Sequence, residues 1–130
     1  MTFLEPYTPQ LRSVLRIMSG LLILQYGTTK VLNFPVSGMS EVPLTALPGI
    51  AGIFELVCGA LLVIGLFSRV AAFLLSGLMA VAYFYAHAGQ GFFPVLNGGT
   101  LAATFCFVFL YLSAAGPGPW SVDAKRSTAE

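Results

Sequence analysis

Four apolar stretches, each about as long as a lipid bilayer is thick, constrain the fold of this chain more than any other feature. They cover approximately residues 13–33, 44–67, 70–88 and 98–115. About 20 helical residues, each rising ~1.5 Å, cross the hydrocarbon layer of ~30 Å. The 130-residue chain is therefore predicted to form one domain that crosses the membrane four times.

The composition supports a membrane environment for these helices. Hydrophobic residues make up 57% of the chain and charged residues 8%, whereas soluble domains have about a quarter of their residues charged. So few charges cannot cover a surface that faces water, which makes the bilayer the expected solvent. The net charge of +1 provides no basic field for nucleic acid, and nucleic-acid binding is excluded as a function.

The breaks between the apolar stretches predict how the helices are connected. Pro, Gly and Asn mark three of the breaks, while the second and third stretches are separated only by Ser68 and Arg69. Such a short connection requires a tight antiparallel hairpin. Four antiparallel crossings also bring the two chain termini to the same side.

Basic residues predict which side this is. The side with the termini holds five of them and the opposite side holds only Lys30, which places both the N- and the C-terminus in the cytoplasm. The predicted fold is all-α, an integral membrane four-helix antiparallel bundle. The five basic residues on the cytoplasmic side are Arg12, Arg16, Arg69, Lys125 and Arg126.

Glu55 is the most informative single residue, because a carboxylate near the middle of a membrane helix costs several kcal/mol, on the order of 3 or more. Ala51, Gly52, Cys58 and Gly59 share its helical face, so the carboxyl is expected to point into the bundle along a seam of small residues. Two interpretations stay open. The carboxyl either stabilises the structure or works in handling protons, a ligand or a quinone.

Polar residues of all four helices are predicted to meet in the outer half of the bundle. A connected cavity there would suit a small ligand. The alternative is that these residues only anchor the helices at the membrane interface, with Lys30, like Arg16 on the other side, extending toward the headgroups. The predicted cavity residues are Tyr26, Lys30, Glu55, Tyr83, His87, Asn97 and Thr100.

No metal site is predicted, because one histidine and two separated cysteines do not form a set with ligand spacing. Cys58 and Cys106 lie inside apolar stretches, where a thiol acts as a small hydrophobic group. The sequence carries no flavin, haem or iron–sulfur motif, so no cofactor is assigned to the chain itself. It also identifies no catalytic residue.

Read in order, the motifs resemble those of the DoxX family of small four-helix membrane proteins, over residues 11–123. The similar motifs are Leu15-Arg16-Ile17, Gly20-Leu21-Leu22, Gly27 with Lys30, Glu55-Leu56-Val57-Cys58-Gly59-Ala60-Leu61-Leu62, Gly65-Leu66-Phe67-Ser68-Arg69, Met79 through His87, Asn97-Gly98-Gly99, and Gly116-Pro117-Gly118-Pro119-Trp120-Ser121-Val122-Asp123.

The resemblance implies a multi-pass protein of the bacterial cytoplasmic (inner) membrane. It also implies a membrane subunit or anchor of a redox system, with a redox partner subunit and contact with quinone. Where many relatives have a His-Gly pair before the lysine, this chain has Tyr26-Gly27, and tyrosine does not titrate near neutral pH.

Two other functions stay open at this point. One is a small carrier or channel-like protein for protons or a small solute, and the other is a structural or assembly module. Membrane lipid is an expected partner in each case, and homo-oligomer formation is compatible with all three. At most, the chain is a non-catalytic or quinone-linked subunit of an oxidoreductase complex.

Overall fold

The structure, a computed structural model, describes residues 2–32, 34, 47–87, 89 and 91–129. Within these ranges the side chains of residues 47, 86, 87, 97 and 127–129 are outside the description. All regular elements of the described part of the chain are helical, which confirms the all-α prediction.

The first long helix, α1, is Thr8–Gly27. It follows a short 3-10 helix, Glu5–Tyr7, and continues into a π-helical segment, Thr28–Leu32. Pro9 occupies the first turn of α1, where its missing N–H costs no helical hydrogen bond. The helix thus begins before the predicted membrane boundary at residue 13. Its first turns contain polar residues, and a helix of such residues can extend beyond the hydrocarbon layer.

The second and third helices form the predicted hairpin. Helix α2 is Leu47–Ile64 and helix α3 is Ser68–Ala82, followed by a second π-helical segment, Tyr83–His87. The turn lies at residues 65–67, immediately before the predicted Ser68-Arg69 connection, and Ser68 and Arg69 themselves begin α3. Gly65 (φ +77°) and Phe67 (φ +50°) both adopt the left-handed conformation that reverses the chain.

The fourth long helix, α4, is Thr100–Ala115 and follows a single helical turn, Pro94–Asn97. The chain then passes through Gly116 and Gly118, which both have positive φ. It ends in a short helix, α5, Val122–Ala129, which the sequence analysis did not predict. Its residues are mostly polar, so the sequence shows no apolar periodicity that would predict a helix.

Contacts between the helices establish that neighbours run antiparallel. Arg16, early in α1, contacts Leu62 near the end of α2, and Arg69 at the start of α3 contacts Ser113 near the end of α4. The main packing pairs are α1 with α2 and α3 with α4, joined by the α2–α3 hairpin. One end of the bundle therefore carries both chain termini, and the other carries the two π-helical segments.

The core is aliphatic and aromatic, and the outer surface of the long helices is apolar too. Phe105 and Phe109 stack in the core with ring centroids 5.4 Å apart. Large apolar side chains such as Val57, Phe73 and Phe107 point outward on different helices. The buried core consists of Ile23, Cys58, Leu62, Ala71, Ala72, Leu75, Met79, Phe105, Phe109 and Leu112.

Glycines allow α1 and α2 to approach closely, which confirms the predicted seam of small residues. A Cβ atom placed on Gly27 would come within 2.7 Å of the Leu56 Cα, and one on Gly59 within 3.1 Å of the Leu24 Cα. Close backbone contact of this kind contributes dispersion energy to the packing of the two helices.

One helical stretch among the described residues, Ser68–Tyr85, is long and apolar enough to cross a membrane by length and composition. Pro48–Ile64 and Thr100–Ala115 are apolar helices that are somewhat shorter.

Candidate functional site: a buried ion pair and a buried guanidinium

Lys30 and Glu55 form an ion pair between the π-helical segment that follows α1 and the middle of α2. The Lys30 Nζ lies 2.7 Å from the Glu55 Oε1, and the Glu55 side chain is only 3% exposed. Lys30 is 14% exposed. Among the described basic residues, Lys30 is thus the ionic partner of Glu55.

Local sequence explains how the pair is positioned. Glu55 lies on the buried face of α2 together with Ala51 and Cys58, as the helical spacing had predicted. Gly52 leaves space on this face, and a Cβ atom there would come within 2.7 Å of the Lys30 Cβ. The stem of Lys30 therefore packs over Gly52, which directs its ammonium inward instead of toward headgroups.

Lys30 also lies within the π-helical segment Thr28–Leu32. The wider turn of a π-helix re-aims side chains relative to the preceding α-helix, and such segments are frequent at functional sites. The second π-helical segment, Tyr83–His87, ends the third long helix at the same end of the bundle.

Of the predicted cavity residues, Lys30 and Glu55 are seen in direct contact, and the connected cavity as a whole stays a prediction. Tyr26 is partly buried against the core, and Tyr83 packs edge-to-face on Phe84 at 5.5 Å. Thr100 is exposed at the start of α4, where its carbonyl accepts a hydrogen bond from the Thr104 hydroxyl at 2.8 Å. The side chains of His87 and Asn97 lie outside the description, so their predicted roles stay predictions.

The arrangement at the ion pair can donate hydrogen bonds and hold a charge in an apolar environment. An ammonium group has three N–H donors, and Lys30 donates one of them to the Glu55 carboxylate. The Lys30 side chain is 14% exposed, so a small acceptor can approach its ammonium group. Glu55, by contrast, is closed to solvent.

The opposite end of the bundle holds a site that the sequence analysis did not identify. Arg16 is 1% exposed, so the interpretation that its side chain extends toward lipid headgroups is wrong. Its Nε donates to the Leu62 carbonyl at 2.8 Å and its Nη2 to the Trp120 carbonyl at 2.6 Å. Its Nη1 donates to the Pro117 carbonyl.

Arg16 thereby fastens the C-terminal segment to α1 and α2. Ser13, one turn before Arg16, donates to the Pro117 carbonyl at 3.3 Å and accepts from the Trp120 backbone N–H at 3.2 Å. The sequence contained a sign of this contact: Ser13, Arg16 and Ser19 recur every three residues and form a polar face in an apolar helix. Such a face is expected to be covered by protein.

Asp123 makes a further contact at this end, with the start of α3. Its two carboxylate oxygens accept the backbone N–H groups of Phe67 at 2.9 Å and Ser68 at 2.8 Å, which lie at the positive end of the helix dipole. Partial burial acts to raise the pKa of Asp123, but these hydrogen bonds and the Arg126 charge outweigh it and hold the pKa below its ordinary value.

An open pocket of about 670 Å³ lies beside these contacts. It is therefore at the opposite end of the bundle from the predicted polar cavity. Its walls come from the first turns of α1 and α3, the segment after α4, and α5. The lining residues are Pro9, Arg12, Phe67, Ser68, Arg69, Val70, Ala115, Pro117, Gly118, Pro119, Asp123 and Ala124.

The cysteines and the carboxylates give no sign of a metal centre in the described ranges, where no three His, Cys, Asp or Glu side chains lie together. Cys58 and Cys106 are both free thiols. Ser76 links α3 to α4 by donating to the Cys106 carbonyl at 2.8 Å.

Fold and site together define a class of small all-helical proteins with a buried ion pair at one end and a buried arginine at the other. A sequence model of the DoxX family matches residues 11–88, more than half of the chain. The chain belongs to the DoxX family, as the sequence motifs had predicted.

Two bacterial proteins are similar to this chain over most of its length. A Haemophilus influenzae protein described as uncharacterized is 42% identical over 133 residues, which cover 96% of this chain and 97% of the relative. A Mycobacterium tuberculosis protein described as an uncharacterized membrane protein is 28% identical, over 88% of this chain and 82% of the relative. Family and relative support a membrane location. No solved structure matches this chain.

Proposed function

We propose that this DoxX protein is the membrane subunit or anchor of a redox system in the bacterial cytoplasmic membrane, and that it presents the Lys30–Glu55 pair to a quinone. The observation that carries the proposal is a hydrogen-bonded ion pair buried in an apolar bundle. Ionisable groups at membrane depth are costly and mark ligand or proton pathways by default.

The membrane arrangement in this proposal has four antiparallel helices and both termini in the cytoplasm. Outward-facing apolar side chains on the long helices support contact with lipid. Arg12, Arg69 and Arg126 lie at the end that carries the termini, whereas the charge of Lys30 at the other end is balanced by Glu55. This asymmetry favours a cytoplasmic location of the termini.

Residues around Lys30 fit a quinone in chemical terms. A quinone has two carbonyl acceptors on an apolar ring and, when bound, supplies two-electron, two-proton redox chemistry. The Lys30 ammonium can donate to one carbonyl, and its partial exposure leaves it accessible. The Glu55 carboxylate holds the Lys30 ammonium in position and compensates its positive charge. Since the sequence carries no motif for a redox cofactor, the electron-donating cofactor would belong to a partner subunit.

The proposal is tested by gentle extraction of the tagged protein from its native membrane, followed by mass spectrometry of bound proteins and lipid-like molecules. We expect a partner subunit and a quinone with the unaltered chain. Lys30→Met should lose the quinone and Arg126→Gln, which removes the same charge elsewhere, should retain it. Such mass measurements also report whether the chain forms a homo-oligomer.

Folding has to be separated from binding in this experiment. The double substitution Lys30→Met with Glu55→Leu removes both charges and leaves no uncompensated charge in the bundle. We expect this variant to fold and to lack quinone. Quinone retained by the folded double variant would overturn the role of the pair, and solute or proton transport by the purified chain in liposomes would favour the carrier function instead.

Orientation needs a separate test in a variant without Cys58 and Cys106. A cysteine placed at Val95, which is exposed, should react with an impermeant thiol reagent added to intact cells. A cysteine placed at Ser127 should react only after the membrane is opened. Labelling of the second variant in intact cells would overturn the proposed orientation.

A further inference from the structure

The pocket at the end of the bundle that carries the termini combines basic side chains with apolar walls. Arg12 and Arg69 line it, and the apolar part of its wall comes from residues such as Phe67, Val70 and Pro119. These residues belong to different elements of the fold. The pocket therefore exists only because the C-terminal segment packs against α1 and α3.

Arg12 is the unusual member of this lining. Its Nε is buried and has no hydrogen-bond partner among the described residues. Nor does Arg12 form an ion pair in that part of the chain. A buried donor without a partner costs about 1–3 kcal/mol, and few such groups persist in native proteins without a reason.

The other charges of the pocket leave it positive. Asp123 is the one carboxylate among the lining residues, and both of its oxygens already accept backbone N–H groups at the start of α3. Arg69 donates from Nη1 to the carbonyls of Ser113 and Ala114, and no hydrogen bond of its Nε or Nη2 is seen among the described residues. Guanidinium groups bind phosphate with paired, planar donors.

The geometry points to a binding site for the phosphate group of an anionic phospholipid. Basic pockets between membrane helices bind such headgroups, and the apolar wall suits the glycerol and the first part of the acyl chains. A free phosphate compound shares the anionic chemistry but makes no use of that wall. The inference rests on the membrane location of the chain and is independent of the quinone proposal.

Arg12→Gln is the decisive substitution, because no hydrogen bond or ion pair joins Arg12 to another residue in the part of the chain that the structure describes. Arg126→Gln is the matched control: Arg126 lies at the same end and packs over the Phe67 ring at 5.2 Å, but it does not line the pocket. Arg69 is less suitable, since its contacts with the end of α4 support the fold.

Purified protein in nanodiscs that contain phosphatidylglycerol and phosphatidylcholine is analysed by native mass spectrometry after release into detergent. We expect the unaltered chain to retain phosphatidylglycerol selectively, Arg12→Gln to weaken this retention about tenfold or more, and Arg126→Gln to retain it. Unchanged thermal unfolding of Arg12→Gln in zwitterionic detergent would show that its fold is intact.

If Arg12→Gln and Arg126→Gln lose phosphatidylglycerol to the same extent, the proposed site is overturned. Equal loss would indicate a general attraction between a basic surface and anionic lipid. Retention of phosphatidylcholine as strong as that of phosphatidylglycerol would overturn it too. In a separate arm, inorganic phosphate is added to protein in zwitterionic detergent. If phosphate stabilises the unaltered protein but not Arg12→Gln, and phosphatidylglycerol is not retained selectively, the ligand of the pocket is a soluble phosphate compound. This outcome would overturn the phospholipid site.

Discussion

The guanidinium of Arg16 donates from Nε to the main-chain carbonyl of Leu62 at 2.8 Å, which joins the early part of α1 to the end of α2. Two further bonds from the same side chain reach the C-terminal segment at Pro117 and Trp120. One cation thus satisfies carbonyl groups of α2 and of the C-terminal segment, and its charge is shared among three carbonyl oxygens.

Arg16→Met should destabilise the protein by about 2–4 kcal/mol, because three buried carbonyls lose their charged donor. The effect should be strongest in residues 117–129, which should exchange amide hydrogen faster and become more sensitive to protease. Arg16→Lys should rescue only in part, since an ammonium lacks the planar set of donors. Arg12→Met, one turn earlier, is the control and should not destabilise the protein, because the Arg12 Nε has no hydrogen-bond partner to lose among the described residues. Equal protection of the C-terminal segment in all variants would contradict this role.

Glu55→Gln or Lys30→Met alone should cost about 3–5 kcal/mol, because each leaves a buried charge without its partner. The double variant Lys30→Met with Glu55→Leu should have a stability close to that of the unaltered protein, because neither charge remains. Thermal unfolding in detergent measures all four proteins and yields the coupling energy. If the double variant loses as much stability as the two single variants together, the two side chains do not interact energetically.

Asp123 should make stability depend on pH in the acidic range. Its pKa is lowered in the folded protein, so its contribution is present above the ordinary value of about 3.9. This contribution is lost as the pH falls through the lowered pKa. Asp123→Asn should flatten the stability profile between pH 7 and pH 3. Parallel profiles for the two proteins, measured by thermal unfolding, would contradict the capping role.

Gly27→Ala should destabilise the contact between α1 and α2 by about 1–3 kcal/mol, because the added methyl group overpacks the seam. The Cβ would lie within 2.7 Å of the Leu56 Cα and 2.9 Å of the Glu55 carbonyl carbon, both of them main-chain atoms that cannot rotate away. The same substitution should also weaken the Lys30–Glu55 pair by displacing α2.

Gly77→Ala is the matched control for this overpacking. A Cβ at Gly77 in α3 has no heavy atom within 4 Å, and alanine is the better helix former by roughly 0.5–1 kcal/mol. Gly77→Ala should therefore be neutral or stabilising in the same thermal unfolding assay. Equal destabilisation by both substitutions would mean that the close contact at Gly27 is not the cause.

Sequence spacing was sufficient to predict which residues face the interior of α2. Glu55, Ala51 and Cys58 follow helical periodicity, and a carboxylate cannot remain exposed to hydrocarbon, so its inward direction followed from local information. The same reasoning predicted the glycine seam. The family could be predicted as well, because its motifs lie in a fixed order along the chain.

Tertiary structure alone decided how Arg16 is used and where the pocket lies. Arg16 is more than 100 positions from Trp120 in the chain, and an arginine near a membrane boundary has two low-energy outcomes, outward to headgroups or inward to carbonyls. Which of them occurs depends on whether folding brings unsatisfied carbonyls within its reach. Periodicity fixes the face on which a side chain lies, but the partner on that face is set by helix packing and by the path of the C-terminal segment.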